Sequence, residues 1–389
     1  MEETCKYGIR CYRKNREHIN KFHQDHKEPE KKRKRRENGD VEDEKIREKS
    51  QDAVETISEH PKQECPKILN EKVDKRLVLE KFFNIKSDPV EAQPVTLSNI
   101  SVASTATISD QKSNQEALDD RSPPSSTFYH VSKSTRKFWE HVLTLSNDSP
   151  RKVFSQFDEA ELVGVFEQLE GSLFITEQQF LTYHRHSTDL PEMETCLIHK
   201  NGHYAIWRDI PNDDDFLIVH SDGKEHFPTI EIVGPSFEHI LLHLAGESIN
   251  LLKKSRGEAI RKRKKAKLGS PPHPLGILIR VINDVGYRDI PESPSSLKKN
   301  LEIIGTATDQ ELIKRRMAKI NELYTYAQFA NDESDFGMGL EFGHWLFLAN
   351  YPPLDKITRN TLRAAYELLQ RERFQDIAAA ILTKRRSQV

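Results

Sequence analysis

Long apolar runs are missing from this chain. No stretch approaches the ~18 apolar residues that span a bilayer, and the opening MEETCKYGIR lacks the hydrophobic core of a secretory signal. A soluble, intracellular protein is expected. Cysteine is scarce too: Cys5, Cys11, Cys65 and Cys196 are too few and too scattered for a disulfide framework, which fits a reducing compartment. With 36% hydrophobic against 31% charged residues over 389 positions, the chain is lean for one folded end to end, so part of it is expected to be disordered. Aromatics locate that part. From Lys27 to Thr127 only Phe82 and Phe83 are aromatic, and such a polar tract cannot bury enough surface to offset chain entropy. Also absent are a glycine-rich phosphate loop ahead of a helix, a nucleophile elbow and a second metal cluster.

What is present divides into four parts: 1–26, a linker 27–127, then a body made of 128–252 and 253–389. Within the linker VDKRLVLEKFFNIK could form one helix, but a solitary amphipathic stretch carries little weight. The body opens with KFWEHVLTL, whose Phe138, Val142 and Leu145 have helical spacing. Short apolar runs broken at Asn201-Gly202 and Asp222-Gly223 then predict an antiparallel sheet. Helical periodicity returns in PSFEHILLHLAGESINLLKK and ends in a basic run, before SPPHPLG interrupts it. Thr308 and Glu311 form a capping-box pattern ahead of a helix with Ile313, Met317, Ile320, Tyr324 and Ala327 down one face. A last helical pattern, 356–386, is apolar at Leu362, Tyr366, Leu369, Phe374, Ile377 and Ile381. The fold class expected is α+β, with a mainly helical C-terminal half.

The formal net charge of -2 hides two basic blocks, Lys31 to Arg36 and Arg261 to Lys265. The first is readable as a nuclear localisation signal, and the second as a basic loop or a contact to the DNA backbone. At the N-terminus, five residues separate Cys5 from Cys11, and His18 and His23 follow. Two thiolates and two imidazoles suit tetrahedral zinc. With the intervening YG and the CYRKN run, the pattern resembles the poly(ADP-ribose)-binding zinc finger. The resemblance implies that Tyr7, Tyr12 and Arg13 contact the polymer, aromatic faces stacking on adenine and guanidinium pairing with pyrophosphate. The family spacing would put its last ligand at Gln24, where this chain offers His23, the favoured ligand, or His26.

The stretch FANDESDFGMG crowds Asp332, Glu333 and Asp335 among apolar residues. Carboxylates just past a helix can act as a general base or simply bond turn amides, and Gly337 and Gly339 would let the backbone turn sharply or approach another surface. Two longer runs, NDVGYRDIPE and YAQFANDESDFGMGLEFG, make the body similar to the histone PARylation factor family. That resemblance implies an accessory factor, not an enzyme on its own. It would dock on a DNA-damage-activated poly(ADP-ribose) polymerase holding NAD and complete its active site, in chromatin of the nucleus. Glu333 would be the general base for serine modification of histones, with Asp332 beside it, and Asp284, Tyr287 and Arg288 would form the docking surface. A self-sufficient ADP-ribosyl hydrolase using Asp332 and Glu333, or a non-catalytic reader of the polymer, are the alternative readings.

Overall fold

The computed structural model describes residues 79–83, 128–247 and 249–386. Expectations for the finger at 1–26 and for the basic block at 31–36 lie outside the described residues.

The first long helix, α1 (Lys133–Leu145), starts where Ser132 accepts a hydrogen bond from the Thr135 backbone N–H, and it buries Phe138, Trp139 and Val142. After it come β1 (Glu161–Leu162), α2 (Val165–Glu170) and α3 (Glu177–Phe180). A meander then follows: β2 (Met193–His199), β3 (Gly202–Trp207), β4 (Leu217–Ser221) and β5 (Ile230–Gly234) complete a five-stranded antiparallel sheet in the order β1-β2-β3-β4-β5. Both expected turns are present. Gly202, at φ 134, closes the β2–β3 hairpin, and Asp222 accepts backbone bonds from Lys224 and Thr229 within the longer β4–β5 loop.

Side chains alternate across the sheet, and here both faces are covered. Tyr204 and Ile206 of β3 join Phe138, Phe154, Phe166 and Phe237 in one core, whereas Ala205 and Trp207 join Leu340, Phe347, Leu362 and Tyr366 in another. The sheet therefore ties the two halves of the body together. On the first face, residues 79–83 are helical, and buried Leu79 and Phe82 pack into the core, with Phe82 against Phe138, His141 and Phe154. The stretch given little weight in the linker thus has a folded partner, because two adjacent aromatics find an aromatic groove to fill.

α4 (Glu238–Ala245) ends at Gly246 in the left-handed conformation, and α5 (Asn250–Ala266) follows. The basic run, readable as a loop or as a contact to the DNA backbone, forms the last turns of α5, where cations suit the negative end of the helix dipole. α6 (Pro294–Thr306) and α7 (Gln310–Asp332) lead to α8 (Phe336–Ala349). The N-cap of α7 is Asp309, accepting from the Glu311 and Leu312 N–H groups, one residue later than the Thr308 pattern suggests. Every residue of α8 from Gly337 to Ala349 is buried. α8 packs on α6, α7 and α9 (Asp355–Leu368). The terminal helical pattern is two helices, not one: Gln370 turns left-handed at φ 56, and α10 (Glu372–Lys384) folds back on α9.

Candidate functional site

The carboxylates converge where α7 gives way to α8. Asp332 is the exposed last residue of α7, and Glu333 is its C-cap. Ser334, at φ 65, turns the chain, and Asp335 precedes α8. The expected sharp turn is therefore made at Ser334. Gly337 and Gly339 are helical, and Gly337 provides the close approach instead: a Cβ there would lie 2.4 Å from Ile279 Cδ1, 2.9 Å from Tyr287 Cδ2 and 3.1 Å from the Gly286 carbonyl oxygen.

Gly337 makes room for the NDVGYRD segment. Asn283 and Asp284 have φ of 50° and 65°, as a tight two-residue hairpin turn requires, and Ile282 and Val285 exchange backbone hydrogen bonds of 2.9 Å. Asp284 sits exposed at the tip beside exposed Val281 and Ile282. The returning segment is laced to the acidic junction. Gly337 N–H donates to the Gly286 carbonyl (2.9 Å), and Gly286 N–H donates to Asp335 Oδ1 (2.9 Å).

Arg288, 8% exposed, turns inward, with Nε and Nη2 3.1 and 2.8 Å from Asp335 Oδ2 and Nη2 also donating to Glu333 Oε2. Burial pulls its pKa down, but the Glu333 hydrogen bond and both carboxylate charges outweigh that and raise it. The guanidinium is thus a permanent cation with two anions of its own chain. Tyr287 donates to Glu341 Oε2 at 2.6 Å, while the Ser270 N–H donates to Glu341 Oε1 at 2.8 Å. Burial, then the neighbouring Glu341, pushes the Tyr287 phenol up, and burial raises Glu341 as well.

Of the expected site residues, the fold brings Glu333, Arg288 and Tyr287 into one network and leaves Asp332 and Asp284 exposed at its edges. Sequence reasoning assigned no role to Asp335 or Glu341. The signal for Glu341 was legible: a carboxylate in the otherwise apolar run FGMGLEFGHWLFLA must be paired when buried. Further along α8, His344 meets buried Glu192 at 3.3 Å, and Tyr366 donates to the same carboxylate at 3.0 Å. A cavity of about 380 Å³ lies elsewhere, lined by Trp207, Asp209, Phe216 and Lys262.

The architecture defines an α+β body, one sheet clad on both faces, presenting an arginine-clamped acidic junction; the Cys/His spacing adds a small finger ahead of it. The sequence pattern of Histone PARylation factor 1 matches residues 124–256 and 244–385, and that of the PBZ domain matches 3–25. The chain belongs to the histone PARylation factor family. Histone PARylation factor 1 of Danio rerio is 30% identical over 64% of this chain and 80% of its own length. That of Mus musculus is 28% identical over 66% and 82%, and that of Bos taurus 27% over 68% and 84%.

Proposed function

We propose that this chain docks on a DNA-damage-activated poly(ADP-ribose) polymerase and lends it Glu333 as general base for ADP-ribosylation of serine on histones and other proteins. The observation that carries the reading is the state of Glu333: its side chain stays 17% exposed while Arg288 holds its carboxylate. A preoriented, accessible carboxylate can take a proton from a serine hydroxyl. As the proton passes to Glu333, Oγ bonds to the anomeric ribose carbon, and the bond to nicotinamide breaks with its electron pair leaving on nicotinamide. NAD is held by the polymerase. Asp332 flanks the base and favours approach of a cationic acceptor segment.

Docking falls to the hairpin tip, where Asp284 stands beside exposed Val281 and Ile282, with Tyr287 and Arg288 bracing it from below. A factor seated on the acceptor side of the polymerase hinders chain elongation, so polymers become shorter as it is added. The finger binds poly(ADP-ribose) through Tyr7, Tyr12 and Arg13. Cys5, Cys11, His18 and His23 would hold zinc, which supplies the fold of so short a segment when bound; the PBZ match ends at 25, taking in His23 and not His26. With the basic block at 31–36 as import signal, the protein acts in the nucleus, at chromatin.

The test incubates activated polymerase, histone and NAD with the native chain or its Glu333→Gln form and maps modified side chains by mass spectrometry. Serine modification lost in the variant, while polymerase binding persists, supports the borrowed base. Serine modification that persists in Glu333→Gln refutes it. Removal of ADP-ribose by the chain alone would instead make it a hydrolase.

A further inference from the structure

α5 is a cationic rod with little to neutralise it. Its sequence, NLLKKSRGEAIRKRKKA, contains one acid, Glu258, and Arg263 alone is buried. Lys253, Lys254, Arg261, Lys262, Lys264 and Lys265 are all exposed, and among the described residues none of the six makes an ion pair. Cations at the C-terminal end complement the helix dipole, but Lys253 and Lys254 lie in the N-terminal half, where the first turn holds no acid and Glu258 is the helix's single carboxylate. Arg261 and Lys265 are also like charges at i,i+4, a pairing that costs about 0.2–0.5 kcal/mol. A chain stabilised only from within would gain by placing carboxylates here.

The helix is nonetheless rigidly mounted. Arg263 donates to Asp209 Oδ1 (2.7 Å) and to the Leu275 carbonyl (2.6 Å), Arg256 to the Ile232 carbonyl (3.1 Å), and Ser255 meets His239 Nε2 at 3.0 Å. Seventeen residues make a rod of about 25 Å, held with these six cations exposed.

We infer that α5 is a docking surface for the phosphate backbone of duplex DNA. Two features favour the duplex over poly(ADP-ribose). α5 contains no aromatic residue, whereas unstacked adenines ask for aromatic platforms; a duplex keeps its bases stacked and offers only phosphates. A straight rod also matches the regular charge of a stiff duplex, one negative charge per about 1.7 Å of axis. Binding would be indifferent to base sequence and steep in salt. It would hold the acidic junction near nucleosomal or broken DNA independently of polymer, and it does not depend on the role proposed for Glu333.

The experiment follows anisotropy of a labelled blunt duplex of about twenty base pairs, with the full chain, across a salt series. Lys31 to Arg36 are changed to glutamine throughout so that only α5 differs. Reversing Arg261, Lys262, Lys264 and Lys265 to glutamate is expected to weaken binding at least tenfold and make the salt slope shallower by about 3.6, four contacts at about 0.9 each. If that variant misfolds by circular dichroism, Lys262→Gln with Lys265→Gln reads the same effect as a slope shallower by about 1.8. Affinity and slope unchanged in the folded variant overturn the inference. So does a second arm in which, with the finger disabled by Cys5→Ser and Cys11→Ser, α5 reversal abolishes poly(ADP-ribose) binding but leaves duplex binding intact.

Discussion

Truncating Arg288 to alanine removes the cation between two carboxylates. Asp335, 2% exposed, would keep only the Gly286 N–H on Oδ1, and its other oxygen would lose both guanidinium contacts. Breaking a buried pair from one side costs about 3–5 kcal/mol, because the remaining charge stays buried. Glu333 can turn toward water, so the lower half of that range applies. At about 2–4 °C per kcal/mol for a body of this size, the thermal midpoint should fall by about 6–16 °C. Arg288→Lys should fall between, since a flexible ammonium keeps the charge but not the rigid guanidinium whose Nε and Nη2 converge on Asp335 Oδ2. The assay is urea or thermal unfolding of the native chain, Arg288→Ala, Asp335→Asn and the double variant. Neutralising Asp335 removes the stranded charge, so the double variant should be more stable than the two single losses added together, by about 1–3 kcal/mol. Single losses that add within about 0.5 kcal/mol would refute the clamp.

Three other expectations follow from the same contacts. Gly337→Ala sets a Cβ against Ile279, Tyr287 and the Gly286 carbonyl, so unfolding measurements should show a loss of about 1–3 kcal/mol and polymerase docking should weaken. Phe82→Ala should destabilise the body by about 3–5 kcal/mol in the full chain, since Phe82 is 6% exposed within the first core; a loss near zero would detach the 79–83 segment from it. Burial lowers the pKa of His220 to about 4 and depresses His199 and His243 in the same cluster. The unfolded chain then binds more protons below the ordinary histidine value of 6.5, so stability should fall as pH drops from about 6.5 to about 4. Thermal scans across that window check the sign, and His220→Gln should flatten the slope.

Much of the fold was legible because its signals are local. The Asn201-Gly202 turn, the alternation in the strands and the helical spacing around Phe138 each need only a few neighbouring residues, and each appears where expected. Boundaries were less legible. Gln370 splits the last helical pattern although it carries no glycine or proline signal, because the break is set by α10 packing back on α9. The weight of Leu79 and Phe82 was also hidden, since the aromatic groove they fill is built from Phe138 and Phe154, more than fifty residues away.

The sequence by itself determined the residue types that carry the chemistry: the Cys/His spacing at the N-terminus, the crowded acids at 332–335, and the NDVGYRD and basic runs, because composition and short spacing are properties of the chain alone. Only the tertiary structure decided their roles relative to one another. Arg288 lies 45 residues from Glu333, yet the fold makes it an internal clamp, with buried Asp335 as its anchor and Glu341 as the partner of Tyr287. Whether a charge is paired or presented depends on which distant groups share its low-dielectric surroundings, and that is settled when the hairpin and α8 pack together.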